Sequence, residues 1–278
     1  MKKTNFHTHY DRCRHADGSA EEYVQAALSA GMDQLGFSDH APFPDYDFGY
    51  RMPFGELTDY IREMDQLSGK YRSDISLFKG LEIEYLPQYR DYYEDLLTRY
   101  GLDYLIMGEH FFPCGSGRMP SIYDIPSTDL YPVYARTIAE GMKTGYFAAI
   151  AHPDIYLFSP FAWDDNCRRA ADILIDAAAA TGTLLEYNAN GLRRGKQNYP
   201  DGTRCPYPDE RFWRMACQAP IRVIVGSDCH NPALLWDDAV TAAYRNLESL
   251  GITPTDTLFS SSLPTLPGQL NGPRMHLR

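Results

Sequence analysis

Short apolar runs alternate with amphipathic stretches along this chain in a steady rhythm. The runs fall at 4–9, 34–40, 75–86, 104–112, 147–152, 183–188 and 222–228. Each has the length and the β-branched and aromatic content of a strand. The stretches between them carry helical periodicity, over about 19–31, 56–71, 88–100, 129–145, 165–181, 208–219 and 236–250. Ser19-Ala20-Glu21-Glu22 has the form of a capping box, and Gly31, Gly101, Gly145 and Gly182 stand where helices should stop. The fifth helix is rich in alanine, which suits close packing on a strand layer. Seven strands, each followed by a helix, predict a parallel α/β architecture. It is either a doubly wound sheet or a closed (β/α) barrel.

Polar residues at the ends of the runs favour the barrel. Seven of the eight histidines (His7, His9, His15, His40, His110, His152 and His230) lie at or just beyond strand ends, most with a carboxylate close by. His7-Thr8-His9 and Asp228-Cys229-His230 are spaced i, i+2, so each pair shares a strand face. A doubly wound sheet gathers its chemistry at one switch point. Here at least six strand ends supply polar groups, as a barrel mouth requires. Glu82 and Glu84 share the same spacing, and one of them is expected to serve as a ligand while the other forms a buried ion pair. Imidazoles and carboxylates in this number fit a multinuclear site for divalent metal ions, with Zn, Fe or Mn suited to the mixed nitrogen and oxygen donors.

Composition narrows the setting. A chain of 278 residues at 44% hydrophobic can bury a sizeable core. Its net charge of −11 argues against a nucleic-acid partner but admits a small phosphorylated substrate, because bound cations reverse the local field. No run is long enough to span a bilayer, and the first residues lack the apolar core of a secretory signal, so a cytoplasmic protein is expected. The six cysteines are scattered without a C-x-x-C pair and read as reduced thiols, with Cys13 and Cys229 inside histidine-rich segments. One domain is expected over 1–253, followed by a looser Pro-, Ser- and Gly-rich tail over 254–278 that holds His276, to which no role is assigned. Oligomeric state is left open.

Clustered cations lower the pKa of bound water and neutralise charge on phosphoryl oxygens, so hydrolysis of a phosphomonoester by a metal-bridging hydroxide is the expected chemistry. Arg193 and Arg194 are candidates to contact phosphate, the alternative being a solvated basic turn. Asp39 is a candidate general acid or, alternatively, the group that orients a histidine. Glu186 and Asn188 are candidates to recognise an amino group or imidazole on the substrate. The segment 42–53 is a candidate cover for the pocket.

In order along the chain, His7-Thr8-His9, His15, Ser38-Asp39-His40, Gly80-Leu81-Glu82, His110, His152 and Asp228-Cys229-His230 resemble the polymerase-and-histidinol-phosphatase (PHP) superfamily through about residue 235. The resemblance implies a distorted seven-stranded (β/α) barrel with metals at the C-terminal strand ends. It implies that His7, His9, Glu82 and Asp228 hold one metal, that Glu82 bridges to a second with His110 and His152, and that His15, His40 and His230 hold a third. Cys13-Arg14-His15-Ala16-Asp17-Gly18, the run from Gly36 to Pro42, the run from Gly80 to Tyr85 and the run from Glu186 to Gly195 are similar to monofunctional histidinol-phosphate phosphatases. That similarity implies hydrolysis of L-histidinol phosphate in histidine biosynthesis. Glu109 departs from the small residues usual before His110, and either shapes the pocket wall or points outward. The alternatives are a related phosphoesterase acting on a nucleotide, sugar phosphate or phosphotyrosine, and a non-catalytic metal-binding module. An amidohydrolase also opens with H-x-H but fits a three-metal pattern poorly.

Overall fold

Seven parallel strands form one sheet in the computed structural model, which describes residues 2–115 and 117–259. In chain order the elements are β1 (Thr4–Asn5), α1 (Ala20–Ser29), β2 (Gln34–Phe37), α2 (Leu57–Tyr71), β3 (Ser76–Ile83), α3 (Arg90–Thr98), β4 (Tyr104–Met107), α4 (Tyr131–Thr144) and β5 (Ala149–Ile150). They continue with α5 (Asp165–Thr181), β6 (Leu184–Asn188), α6 (Ala189–Arg193), β7 (Gln197–Tyr199), β8 (Gly202–Arg204), α7 (Glu210–Ala216), β9 (Val223–Gly226) and α8 (Asp238–Ser249). The sheet runs β1-β2-β3-β4-β5-β6-β9, with β7 and β8 forming a separate antiparallel hairpin. Every strand and helix expected from the periodicity is present. The ladders are shorter than the apolar runs because the polar residues at each strand end leave the sheet. The short helix α6 and the β7–β8 hairpin have no periodic signal and were not expected. Among the described residues no helix is long and apolar enough to cross a membrane.

The ends of the sheet meet, so it is a barrel. Beyond the ladders, Thr8 bridges Cys229, His9 N donates to Cys229 O (3.1 Å), and Asp228 N donates to His7 O (2.8 Å). The Asn5 side chain reinforces this seam. Its Oδ1 accepts from Ser227 N (2.8 Å), while its Nδ2 donates to Thr8 Oγ1 (2.6 Å) and His7 O (3.1 Å). At the opposite end the seam is filled by chain expected to begin a loose tail. Thr255 bridges Ile224, Asp256 accepts from Lys2 N, and Leu258 is buried in the lumen. Residues 254–259 therefore pack on the barrel, and the rest of the expected tail, with His276, lies outside the described residues.

Strand alternation builds two apolar layers. Leu35, Leu81, Leu105, Leu185 and Val225 face the helices, where Ala170, Ala171 and Ala178 let α5 approach closely. Phe6, Tyr104, Ile106, Leu184 and Ile224 fill the lower lumen. The Tyr104 ring forms its floor, with its hydroxyl 2.8 Å from Phe6 O and 2.9 Å from Phe37 O. A Cβ on Gly80 would fall 2.4 Å from that ring, so only glycine admits it. Above this floor the inward positions change from apolar to ionisable. Gly80→Ala should cost about 1–3 kcal/mol of stability through overpacking. Urea unfolding should show a lower midpoint at unchanged slope; an unchanged midpoint would mean that the floor is not tightly packed.

Candidate metal centre

All nine residues expected to bind metal converge at the C-terminal end of the barrel. β1 ends at Asn5, whose side-chain bonds bend the chain so that Phe6 and then His7 both enter the lumen. From there the i, i+2 spacing holds, and His7 Nε2 and His9 Nε2 lie 3.0 Å apart. Barrel closure brings the other pair alongside. Asp228 Oδ1 is 3.4 Å from His9 Nε2 and 3.6 Å from His7 Nε2.

Glu82 stands at the middle. Its Oε1 is 2.9 Å from His152 Nε2 and 3.7 Å from His110 Nε2, while its Oε2 is 2.9 Å from His40 Nδ1 and 3.5 Å from both His7 Nε2 and His9 Nε2. A Cβ on Gly108 would overlap this carboxylate, so the glycine just beyond β4 makes room for it. The outer edge is formed by His15 and His230, with Nε2 atoms 2.9 Å apart, and by His40. His152 (φ 31°) and Asp228 (φ 48°) adopt left-handed backbone conformations at their strand ends. Such strain costs of order 1–3 kcal/mol and collects at functional positions.

These residues fit divalent cations. Several sets of three offer ligand atoms within 4.8 Å of one another: His7, His9 and Asp228; His7, Glu82 and His152; His9, His40 and Glu82; and His15, His40 and His230. Glu82 Oε2 is buried, yet among the described residues no neighbour donates to it with hydrogen-bond geometry. Imidazole nitrogens facing each other at 3 Å, around a carboxylate with an unused lone pair, are what a shared cation would reconcile. Cys13 joins His9 and His230 in a further set, but its thiol donates to Tyr10 O (3.2 Å) and burial pushes its pKa upward.

The electrostatics of the metal-free chain divide the histidines. Burial opposes charge on His7, His9 and His152, but Glu186, Asp228, Asp39 and Glu82 overcome it and raise all three, with His9 reaching about 9. Burial prevails at the outer edge. It lowers His15 and His40, and it takes His230 to about 3 with the help of nearby His9. Glu82 and Asp228 are held well below the usual carboxylate range despite their burial, Glu82 by His110, His7 and His40, and Asp228 by His7 and His9.

Three of the candidate substrate and acid–base residues, Glu186, Asn188 and Asp39, are buried away from the cavity, whereas Arg193 and Arg194 both border it. Glu186 is buried behind the ligands, with Oε1 2.8 Å from His7 Nδ1 and Oε2 accepting from His152 N (2.9 Å). Asn188 is fully buried and donates to Glu186 (2.8 Å) and Asp228 (3.1 Å). Both contact candidate ligands from behind, because the sixth strand points them across the lumen below the mouth. Asp39 is fully buried 3.5 Å from His9 Nδ1, so of its two expected roles its position matches the orienting one. Arg193 commits its guanidinium to Asp237 (2.8 Å), Ser227 O (2.6 Å) and Leu234 O (2.8 Å), which leaves little for a phosphate. Among the described residues Arg194 has no carboxylate partner. It donates to Tyr207 OH (3.2 Å) and borders the cavity.

Of the glutamate pair, Glu84 binds Arg51 and lies 3.4 Å from His110 Nδ1. Glu109 neither lines the pocket nor points outward. It is fully buried, accepts from Tyr85 N (2.7 Å), and is raised well above the ordinary value by that burial. A cavity of about 690 Å³ opens above the cluster. The segment 42–53 contributes Phe48, Tyr50 and Arg51 to its wall, and Phe111, Tyr123, Asn190 and Tyr207 complete it. Periodicity did not single out Arg51, Tyr123 or Tyr207, because all three lie on irregular chain, whereas Phe111 falls inside the expected 104–112 run. The position of Phe111 directly after a candidate ligand is the one local signal.

Comparison with known proteins agrees with this arrangement. The PHP domain model matches residues 5–190, more than half of the chain. A Deinococcus radiodurans protein named a probable histidinol-phosphatase is 31% identical over 231 residues, covering 81% of this chain and 85% of its own. The histidinol-phosphatase of Bacillus subtilis is 26% identical over 261 residues, covering 83% of this chain and 94% of its own. In fold, the chain is similar to the crystal structure of histidinol phosphate phosphatase from Lactococcus lactis, complexed with Zn, L-histidinol and phosphate. That match has a TM-score of 0.70 at 15% identity and covers 91% of this chain and 95% of the other. With its nine candidate ligands at the mouth of a seven-stranded (β/α) barrel, the chain belongs to the PHP domain family.

Proposed function

We propose that this chain is a metal-dependent phosphomonoesterase that hydrolyses L-histidinol phosphate to L-histidinol and phosphate. One observation carries the reading: a chain 31% identical to a probable histidinol-phosphatase gathers seven imidazoles and two carboxylates beneath a cavity bordered by an arginine. The ligands are assigned in three groups. His7, His9, Glu82 and Asp228 would hold one ion. Glu82, His110 and His152 would hold a second, and His15, His40 and His230 a third. Zn, Fe or Mn would suit these donors. When bound, such ions supply Lewis acidity to phosphoryl oxygens and activate water for in-line displacement.

The chain's own residues do the rest. Glu186 and Asp39 face the Nδ1 atoms of His7 and His9, which directs each Nε2 lone pair toward the cluster. Asn188 and Asn190 donate to Asp228 Oδ2, leaving Oδ1 turned to the histidines. Arg194 offers a guanidinium to a phosphate oxygen at the cavity edge. Phe48, Tyr50, Phe111 and Tyr123 supply an aromatic wall for an imidazole ring. A covalent nucleophile is not needed, and the buried Cys13 thiol is unsuited to be one. The partner is a small phosphorylated molecule rather than nucleic acid, and the reaction belongs in the cytoplasm.

Phosphate release from L-histidinol phosphate by the zinc-loaded protein should exceed release from sugar, nucleotide and tyrosine phosphates by at least roughly tenfold in kcat/KM. That ratio is what one further recognised group contributes at about 1.4 kcal/mol. Equal rates across the panel would keep the chemistry and remove the substrate, while no release at all would favour a non-catalytic module. His9→Asn and Asp228→Asn should each bind less metal and lose roughly 10²–10³ in kcat with the fold intact; full activity in either would refute the ligand assignment. Since His9 titrates at about 9 in the metal-free chain, it carries a proton at pH 7 that a cation must displace. Zinc affinity should therefore rise with pH up to about 9, with proton release in weakly buffered calorimetry. The same raised value means that His9 stabilises the metal-free fold below its unfolded value of 6.5, a contribution lost as pH rises through 9. A pH-independent zinc affinity would count against this protonation state.

A further inference from the structure

The segment that walls the cavity is tied to the candidate metal centre by one buried ion pair. Arg51 is only 8% exposed, and its Nη2 binds the carboxylate of Glu84, which is fully buried one residue beyond β3. Glu84 Oε1 also lies 3.4 Å from His110 Nδ1, and His110 Nε2 points toward Glu82 Oε1 at 3.7 Å. On its other side Arg51 holds its own loop. Its Nη1 donates to Gly49 O (3.1 Å), and its guanidinium lies 5.0 Å over the Phe48 ring. Phe48 in turn stacks on Phe111, the neighbour of His110, at 4.9 Å and 28°.

We infer that Arg51 is a positioning residue that joins the His110 metal position and the 42–53 segment into one coupled unit through Glu84. The inference rests on the reading of His110 as a metal ligand. A carboxylate this deep needs its cation, since removing one partner of a buried pair leaves an uncompensated charge. Held by Arg51, Glu84 is fixed as the acceptor for His110 Nδ1–H, which leaves the Nε2 lone pair free for a cation. Without Arg51 the carboxylate must turn toward another donor or toward water, and His110 loses its orientation. The coupling runs both ways, because linkage is reciprocal. An ion on His110 stiffens Glu84, Arg51 and the cavity wall, and a wall held in place favours the ion.

The test compares full-length wild type with Arg51→Met, Arg51→Lys, Glu84→Gln and the Arg51→Met/Glu84→Gln double variant. Zinc affinity is read by chelator competition, and hydrogen exchange over 44–53 is followed with and without zinc. In the wild type, zinc should slow exchange across the segment. Arg51→Met should abolish that zinc-dependent protection and weaken one bound zinc roughly 10–100-fold. Arg51→Lys should restore part of both. Adding Arg51→Met to Glu84→Gln should weaken zinc little further, because the two residues act as one path. Circular dichroism checks the fold, and Arg51→Gln replaces Arg51→Met if the latter does not fold. Unchanged zinc affinity and protection in Arg51→Met, or additive effects in the double variant, would overturn the coupling while leaving the metal centre standing. A wild type that binds no zinc would overturn the metal reading and this inference with it.

Discussion

Closure of the sheet between its first and last strands is the constraint on which the rest of this molecule depends. His7 and His9 stand more than 200 residues from Asp228 in sequence, yet the seam brings both within 4 Å of it. The seam is not a regular ladder. It is built from the bridge between Thr8 and Cys229 and from the Asn5 side chain, which substitutes for missing main-chain partners on both sides. These bonds also bend the first strand, so the histidine pair enters the lumen directly above Phe6. An open sheet would leave two polar strand ends at opposite edges, with neither able to complete a site.

A second constraint is electrostatic. Burying Glu82, Asp228 and the inner histidines beside one another carries a desolvation cost that only mutual neutralisation can offset. In the metal-free chain the neighbouring carboxylates favour protons on His7, His9 and His152, whereas burial disfavours them on the outer histidines. Divalent ions are the natural replacement for those protons. The groups behind the candidate ligands follow the same logic, since Glu186, Asp39, Asn188 and Glu84 are all deeply buried and each faces a candidate ligand or another such group.

Arg193 and Arg194 show where local reading reaches its limit. As neighbours in one basic turn they are equivalent in sequence, and both were reasonable phosphate contacts. Both border the cavity, but Arg193 at the end of the short helix α6 is committed to Asp237 and two main-chain carbonyls, whereas Arg194 donates to the Tyr207 hydroxyl. Glu186 and Asn188 raise the same issue. Their polarity at a strand end marked them as functional, but depth in the lumen determines whether such a group can meet substrate or only hold a ligand.

The sequence by itself determined the seven strand–helix units, the choice of a barrel and the identity of the nine clustered residues. Those features are legible because period-2 and period-3.6 patterning is local, and because a histidine after an apolar run marks a strand end wherever the strand lies. Only the tertiary structure decided which polar groups face the cavity and which stand behind the ligands. It also placed the start of the expected tail in the barrel seam and joined Arg51 to Glu84. Each of these depends on contacts between irregular segments far apart in the chain, where no periodicity records which way a side chain turns.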